Sequence, residues 1–205
     1  GVLSLQNGLT EALLRQACGD VPVGQGITTE GAYREGDRVV PTGAGECLLP
    51  PGFEPVAERL AQAGFKARIE PHIQAARLAK LLANVAINPL AAIFRVTNGA
   101  LLDPPHRVLL DALMEEAWPV LKAEGLSLDR DAAREWVVTV ATRTGANRAS
   151  MLQDILAGRA TEIDTLTGAL LAMAESHGLA VPTHRAVYTL VRVLEGARPI
   201  SRPDF

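Results

Sequence analysis

Apolar and polar positions along the 205-residue chain change rhythm near residue 71. Before it, the apolar runs are short and the punctuation is dense. Residues 2–5 form a brief apolar run ended by Gln6-Asn7-Gly8, the pattern of a buried strand entering a turn. Thr10 and Glu11 open a helical pattern through Leu13, Leu14 and Ala17 that stops at Gly19. Residues 21–29 read as a second strand, and residues 33–40 as a hairpin about Gly36. Pro50-Pro51-Gly52 precedes a helix with Phe53, Val56, Leu60 and Ala63 on one face; Gly64 ends it before a strand at 65–69. After residue 71 the apolar spacing becomes helical. It predicts helices over 72–87, 104–124, 129–142, 150–156, 162–177 and 183–195, with a break or kink at Pro89 and a loose tail over 198–205. Residues 1–71 hold 11 of the 18 glycines, which sharpens the contrast. The fold class that follows is α/β and then all-α: a partial Rossmann-like sheet region in 1–71 and a helical bundle in 72–205.

Composition narrows the function classes. The chain is 48% hydrophobic and 21% charged, with a formal net charge of −3, an ordinary globular balance. A mildly acidic chain with two Trp, two Tyr and four Phe is a poor nucleic-acid binder. The most apolar stretch, residues 81–94, carries Asn84, Asn88 and Pro89 and is too short to span a bilayer. Cys18 and Cys47 lack zinc-site spacing and read as reduced thiols of a cytoplasmic protein, and the four histidines show no ligand spacing either. His177 before Gly178 suits a helix-end role. No metal, membrane or nucleic-acid partner is expected. Gly24-Gln25-Gly26 and Gly43-Ala44-Gly45 both fall short of the dinucleotide fingerprint, since Thr29 and Leu48 occupy the third glycine's position.

Three groups of residues could carry chemistry. Lys80, Asn84 and Asn88 recur at i, i+4 and i+8 in a helix that is apolar almost all round. They face a ligand, with Lys80 a proton donor tuned by desolvation, or else Lys80 snorkels and Asn88 caps the segment at Pro89. Ser150, after Asn147, stands at a helix start, as an N-cap with Asp154 in the first turn or as part of an anion site. Thr161-Glu162-Ile163-Asp164 reads as a capping box with Thr161 the cap and Asp164 reaching back, and Glu162 fits a first turn.

In this order the segments resemble the ketopantoate reductase (2-dehydropantoate 2-reductase) family. The resemblance runs from Leu5-Gln6-Asn7-Gly8-Leu9 through Gly26-Ile27-Thr28-Thr29-Glu30-Gly31-Ala32 to Lys80-Leu81-Leu82-Ala83-Asn84-Val85-Ala86-Ile87-Asn88-Pro89-Leu90. It continues in Ser150-Met151-Leu152-Gln153-Asp154-Ile155, Gly158-Arg159-Ala160-Thr161-Glu162-Ile163-Asp164 and His177-Gly178 with Pro182. It implies a cytoplasmic homodimeric enzyme that reduces the C2 ketone of a small 2-keto acid, ketopantoate, with NADPH, on the route to pantothenate and coenzyme A. Lys80 is then the general acid, and Asn84, Asn88, Asn147 and Ser150 bind substrate. Glu162 orients the cofactor and supports the lysine, while Asn7 and Ala32 line the nicotinamide end. Three departures bear on this. Leu78 stands where the family has an aromatic, Thr167-Gly168 where it usually has Asn-Gly, and the glycine-fingerprint part of the Rossmann domain is absent, which implies that this chain alone is inactive. The competing expectations are a reductase of another small 2-keto acid and a non-catalytic helical dimerisation module.

Overall fold

A computed structural model describes residues 1–43 and 45–196. Ala44 of the second GxG piece and the tail expected over 198–205 lie outside the described residues. The chain divides into two compact units, with the boundary between Leu78 and Ala79. The composition change at 71 lies a few residues earlier, where the helix that crosses this boundary begins.

The first unit runs β1 (Val2–Ser4), α1 (Glu11–Cys18), β2 (Val23–Gln25), β3 (Ile27–Thr28), β4 (Gly31–Glu35), β5 (Arg38–Gly43), β6 (Cys47–Leu49), α2 (Glu54–Gln62) and β7 (Ala67–Ile69). β1 and β2 are parallel with α1 between them in sequence, the unit from which α/β folds are built. β6 lies between β7, parallel to it, and β3, antiparallel to it. β4 and β5 form the expected hairpin, with Gly36 at φ 59° in its turn. The single strand expected over 21–29 is two strands in two sheets. They part at Gly26, whose N–H donates to the Ser4 carbonyl at 2.9 Å. A Cβ at Gly26 would lie 2.6 Å from the Leu48 carbonyl oxygen, so glycine is what permits the close crossing of chains there. A small core of Cys47, Leu49 and Ala57 is covered by Leu3, Phe53, Leu60, Ala67 and Ile69.

Helices make up the remainder: α3 (Ile73–Phe94), a 3₁₀ turn (Gly99–Leu102), α4 (His106–Ala123), α5 (Arg130–Arg143), α6 (Ser150–Leu156), a π-helical turn (Asp164–Gly168), α7 (Ala169–Ser176) and α8 (Pro182–Gly196). Their inner faces bury Leu82, Leu90, Leu110, Leu113, Met114, Leu121, Met151 and Leu152 almost completely. Two expectations are corrected here. α3 continues through Pro89 as 22 helical residues instead of ending at 87. A proline inside a helix costs about 3 kcal/mol. Val85, Ala86, Leu90 and Ala91 on either side are fully buried, and each large apolar side chain so buried contributes about 1.5–3 kcal/mol, enough to carry the helix across. The uninterrupted α3 is also long and apolar enough to cross a membrane, unlike the stretch 81–94 taken alone, although 67% of its most apolar window is buried inside the fold. The helix expected over 162–177 instead opens with the π turn, in which the Gly168 N–H reaches the Ile163 carbonyl at 3.0 Å.

Candidate functional site

Because α3 is unbroken, Lys80, Asn84 and Asn88 share one helix face, each step rising about 6 Å and turning by about 40°. Asn88 is 9% exposed; Lys80 and Asn84 are half-buried. The alternative role of Asn88 as a cap falls away, since there is no helix end beside it. Among the described residues neither asparagine amide makes a side-chain hydrogen bond, so both keep donors and acceptors for another molecule. The turn bearing Lys80 is anchored from outside: Trp136 Nε1 on α5 donates to the Ala79 carbonyl at 2.8 Å.

Asn147 and Ser150 belong to a neighbouring piece of the same unit. Asn98 N–H donates to the Asn147 carbonyl at 3.0 Å, and its Nδ2 donates to Thr144 Oγ1 at 2.9 Å. Gly99 N–H donates to the Gly145 carbonyl at 3.1 Å, and a Cβ on Gly99 would come within 2.9 Å of Gly145 Cα. The 144–149 connection is thus stitched to the segment that follows α3. Ser150 is not the N-cap expected of it. Ala149 holds that position without a side-chain bond, Ser150 is the first helical residue, and its hydroxyl is exposed beside the exposed Asn147. Capping therefore does not account for this serine. Asp154 pairs with Arg159 at 2.7 Å.

Glu162 is half-buried and immediately precedes the fully buried Ile163. Thr161 does act locally, its Oγ1 accepting from the Ile163 N–H at 3.2 Å. Asp164 does not reach back to close a capping box. It accepts instead from the Tyr188 hydroxyl at 2.6 Å, and that hydrogen bond holds the tyrosine pKa above its usual value.

Asn7 and Ala32 lie in the first unit, one in a loop and the other on a strand. Asn7 is half-buried in the loop after β1, and Ala32 is exposed on β4 opposite Pro41. The Asn7 loop is built around Gln25, whose chemistry sequence reasoning missed. Gln25 Oε1 accepts from Thr10 N–H at 3.0 Å, Glu11 N–H at 3.2 Å and Arg77 Nη2 at 2.7 Å. Its Nε2 donates to the carbonyls of Gln6 at 3.2 Å and Gly8 at 2.6 Å. Arg77 Nη1 also bonds Glu11 at 2.5 Å, and Arg15 bonds the other Glu11 oxygen at 2.6 Å. Burial works to raise the Glu11 pKa, but the hydrogen bonds from Arg15 and Arg77 outweigh it and hold the carboxyl below its usual range. The sequence held one signal, an uncharged amide within the strand expected over 21–29; Gln25 is in fact 2% exposed, and a buried amide needs several partners.

The histidines stand apart from this arrangement. His177 is the C-cap of α7, the helix-end place expected of it, and its Nε2 also pairs with Glu124 Oε1 at 2.8 Å. His184 is fully buried, with Nε2 2.9 Å from the Leu113 carbonyl, and Glu116 receives the Thr183 and His184 N–H groups at 2.9 and 3.0 Å.

An α/β segment is thus followed by a helical unit that carries a lysine–asparagine face. Residues 72–195 match the family described as Ketopantoate reductase PanE/ApbA C terminal, and the chain belongs to that family. It is 34% identical over 203 residues to the 2-dehydropantoate 2-reductase of Vibrio cholerae, covering 95% of this chain and 68% of that protein. It is 37% identical over 204 residues to the Archaeoglobus fulgidus protein of the same name, covering 95% and 68%. A solved PanE/ApbA family ketopantoate reductase from Ralstonia eutropha JMP134 superposes with a TM-score of 0.85 at 30% identity, covering 95% of this chain and 66% of that one. D-mandelate dehydrogenase with NADH and anilino(oxo)acetate superposes with a TM-score of 0.86 at 26% identity, covering 95% and 67%. The chain thus spans about two thirds of the length of such relatives, and 61% of the Pyrobaculum aerophilum reductase.

Proposed function

We propose that this chain supplies the substrate side, and the nicotinamide-end part of the cofactor side, of a cytoplasmic NADPH-dependent 2-dehydropantoate 2-reductase. The reaction is reduction of the C2 ketone of ketopantoate to pantoate, in the synthesis of pantothenate and coenzyme A. In domain terms, residues 1–71 are the C-terminal portion of a Rossmann-like domain, and 72–205 the helical substrate domain. The observation that carries the reading is the single face of Lys80, Asn84 and Asn88 on a helix otherwise buried in apolar contacts, in a chain whose relatives carry this activity in their names.

NADPH, when bound, supplies the hydride. The residues proposed for its nicotinamide end are Asn7, Ala32 and Glu162. Asn7 sits in the loop at the carboxyl end of β1, where parallel α/β sheets take their ligands, and Gln25 fixes that loop's backbone. The phosphate-gripping glycine fingerprint is not in this sequence, so residues 1–205 alone are expected to bind NADPH weakly and to turn over little substrate.

Lys80 acts as the general acid. Its Nζ stabilises negative charge developing on the ketone oxygen and passes that oxygen a proton, a contribution of about 10²–10⁴-fold. The amides of Asn84 and Asn88 hold the substrate hydroxyl and carbonyl groups. Ser150 and Asn147 receive the carboxylate, and Glu162 also helps keep Lys80 protonated. Support for the carboxylate role is the exposed Ser150 hydroxyl, which capping does not explain. Apolar side chains exposed on α4 and α8, among them Val108, Leu190 and Val193, support a homodimer.

A second reading, reduction of an aryl 2-keto acid with NADH, is favoured by the likeness to D-mandelate dehydrogenase with NADH and by Leu78 in place of an aromatic. Steady-state assays of the full-length enzyme, crossing ketopantoate and an aryl 2-keto acid with NADPH and NADH, separate the two. The first reading expects kcat/KM to be highest for ketopantoate with NADPH. A preference for the aryl acid with NADH would replace it with the second.

A further inference from the structure

The role given to Glu162 demands that its backbone be held still, and the structure contains a device that does so. Thr161 and Ile163, on either side of Glu162, are tied into one chain of hydrogen bonds. The Glu195 carboxylate near the end of α8 accepts through Oε1 from both Thr161 N–H at 2.7 Å and Thr161 Oγ1 at 2.6 Å. Thr161 Oγ1 in turn accepts from the Ile163 N–H at 3.2 Å. The other Glu195 oxygen accepts from Arg192 Nη1 at 2.9 Å, and the Glu195 side chain is only 11% exposed. The Glu162 carbonyl is itself fixed by Leu166 N–H and Thr165 Oγ1, both at 3.1 Å. Glu195 lies 33 residues beyond Glu162 in sequence, so no local turn requires this contact. A carboxylate oxygen with two short donors from one residue is a directional anchor, about twice as strong as a neutral bond.

We propose that Glu195 is a positioning residue for Glu162, acting through Thr161, and that Arg192 holds the Glu195 carboxylate for that purpose. The proposal rests on the reading of Glu162 as the residue that orients the cofactor and supports Lys80. Glu195 does no chemistry; it sets where the Glu162 carboxylate stands. A displacement of about 1 Å at an orienting group costs up to about 100-fold in rate, so loss of the anchor is expected to lower kcat/KM for NADPH by roughly 10- to 100-fold.

The test is steady-state kinetics on the full-length enzyme with NADPH and ketopantoate, folding of each variant being checked by circular dichroism. Glu162→Ala must first lower kcat/KM by at least about tenfold. Glu195→Ala and Thr161→Val should each reproduce the pattern of that loss, and Thr161→Ser, which keeps the hydroxyl, should restore activity to within about twofold. In the Glu162→Ala background, Glu195→Ala should cost nothing further, because the group it positions is gone. Equal losses from Glu195→Ala with and without Glu162, or no loss beside a large Glu162→Ala effect, would overturn the positioning role alone. A silent Glu162→Ala would overturn the reading of Glu162 and this inference with it. If Glu195→Ala does not fold, the threonine pair and its combination with Glu162→Ala decide the matter.

Discussion

In the first unit one glutamine side chain makes five hydrogen bonds, two of them to the Gln6 and Gly8 carbonyls on either side of Asn7; in the second, the helix repeat alone lines up Lys80, Asn84 and Asn88. The two arrangements fail differently. The Gln25 hub spends its polar groups inside the protein, so it contributes stability and leaves nothing over for a ligand. Among the described residues the Asn84 and Asn88 amides make no hydrogen bond within the protein, which contributes nothing to stability and keeps them available.

Substitutions can break that contrast. The largest effect is expected from Gln25→Leu, which strands the Thr10 and Glu11 N–H groups and the Gln6 and Gly8 carbonyls. Unmade bonds of this kind cost about 1–3 kcal/mol each when buried, so a loss of about 3 kcal/mol or more is expected in urea unfolding. Next comes Arg77→Ala. The Arg77 side chain is 10% exposed and binds both Glu11 and Gln25, so its removal should cost about 2–3 kcal/mol. Arg15, bonded to the same carboxylate but 60% exposed, should cost less than about 1 kcal/mol when replaced by Ala. Equal effects from the two arginines would contradict the account of this cluster.

The helical unit has its own pH signature. Burial pushes the His184 pKa down, so the folded state binds its proton less readily than the unfolded chain does. Stability is therefore full above the unfolded pKa of about 6.5 and falls as pH drops below it, by at most about 1.4 kcal/mol per pH unit from this one group. Thermal melts between pH 7 and pH 5 should show this, and His184→Gln should flatten the dependence. An unchanged slope in the variant would assign the effect to other groups.

Asn84→Ala should show the smallest stability change, within about 1 kcal/mol and tending to stabilise, because Ala is the better helix former and no side-chain bond is lost. The same change should lower kcat/KM for ketopantoate by about tenfold or more. A large destabilisation would place Asn84 with Gln25, as a structural amide.

How much of this was legible in the sequence follows from the range of the interactions. The Lys80–Asn84–Asn88 face could be read because the helix period is local and survives Pro89. The division of the strand over 21–29 could not, because it depends on a close crossing between Gly26 and Leu48. β6 has three residues, too few for any period to register. Ser150 looked like a cap because its residue type suits one, yet the backbone puts Ala149 there. Gln25 and Arg77 find partners, and Glu195 finds Thr161, across 14 to 66 positions of sequence, distances at which spacing carries no signal. The resemblance to a family supplied the roles of Asn7, Ala32, Asn147 and Glu162, which spacing alone left open.

The central claim is that α3 carries the proton donor of a ketone reduction. The most direct test compares Lys80→Ala with the unaltered full-length enzyme, following NADPH oxidation by ketopantoate alongside circular dichroism. A fall in kcat of about 10²–10⁴-fold with an unchanged spectrum is the expected result. A variant that folds and keeps near-normal kcat would contradict the account.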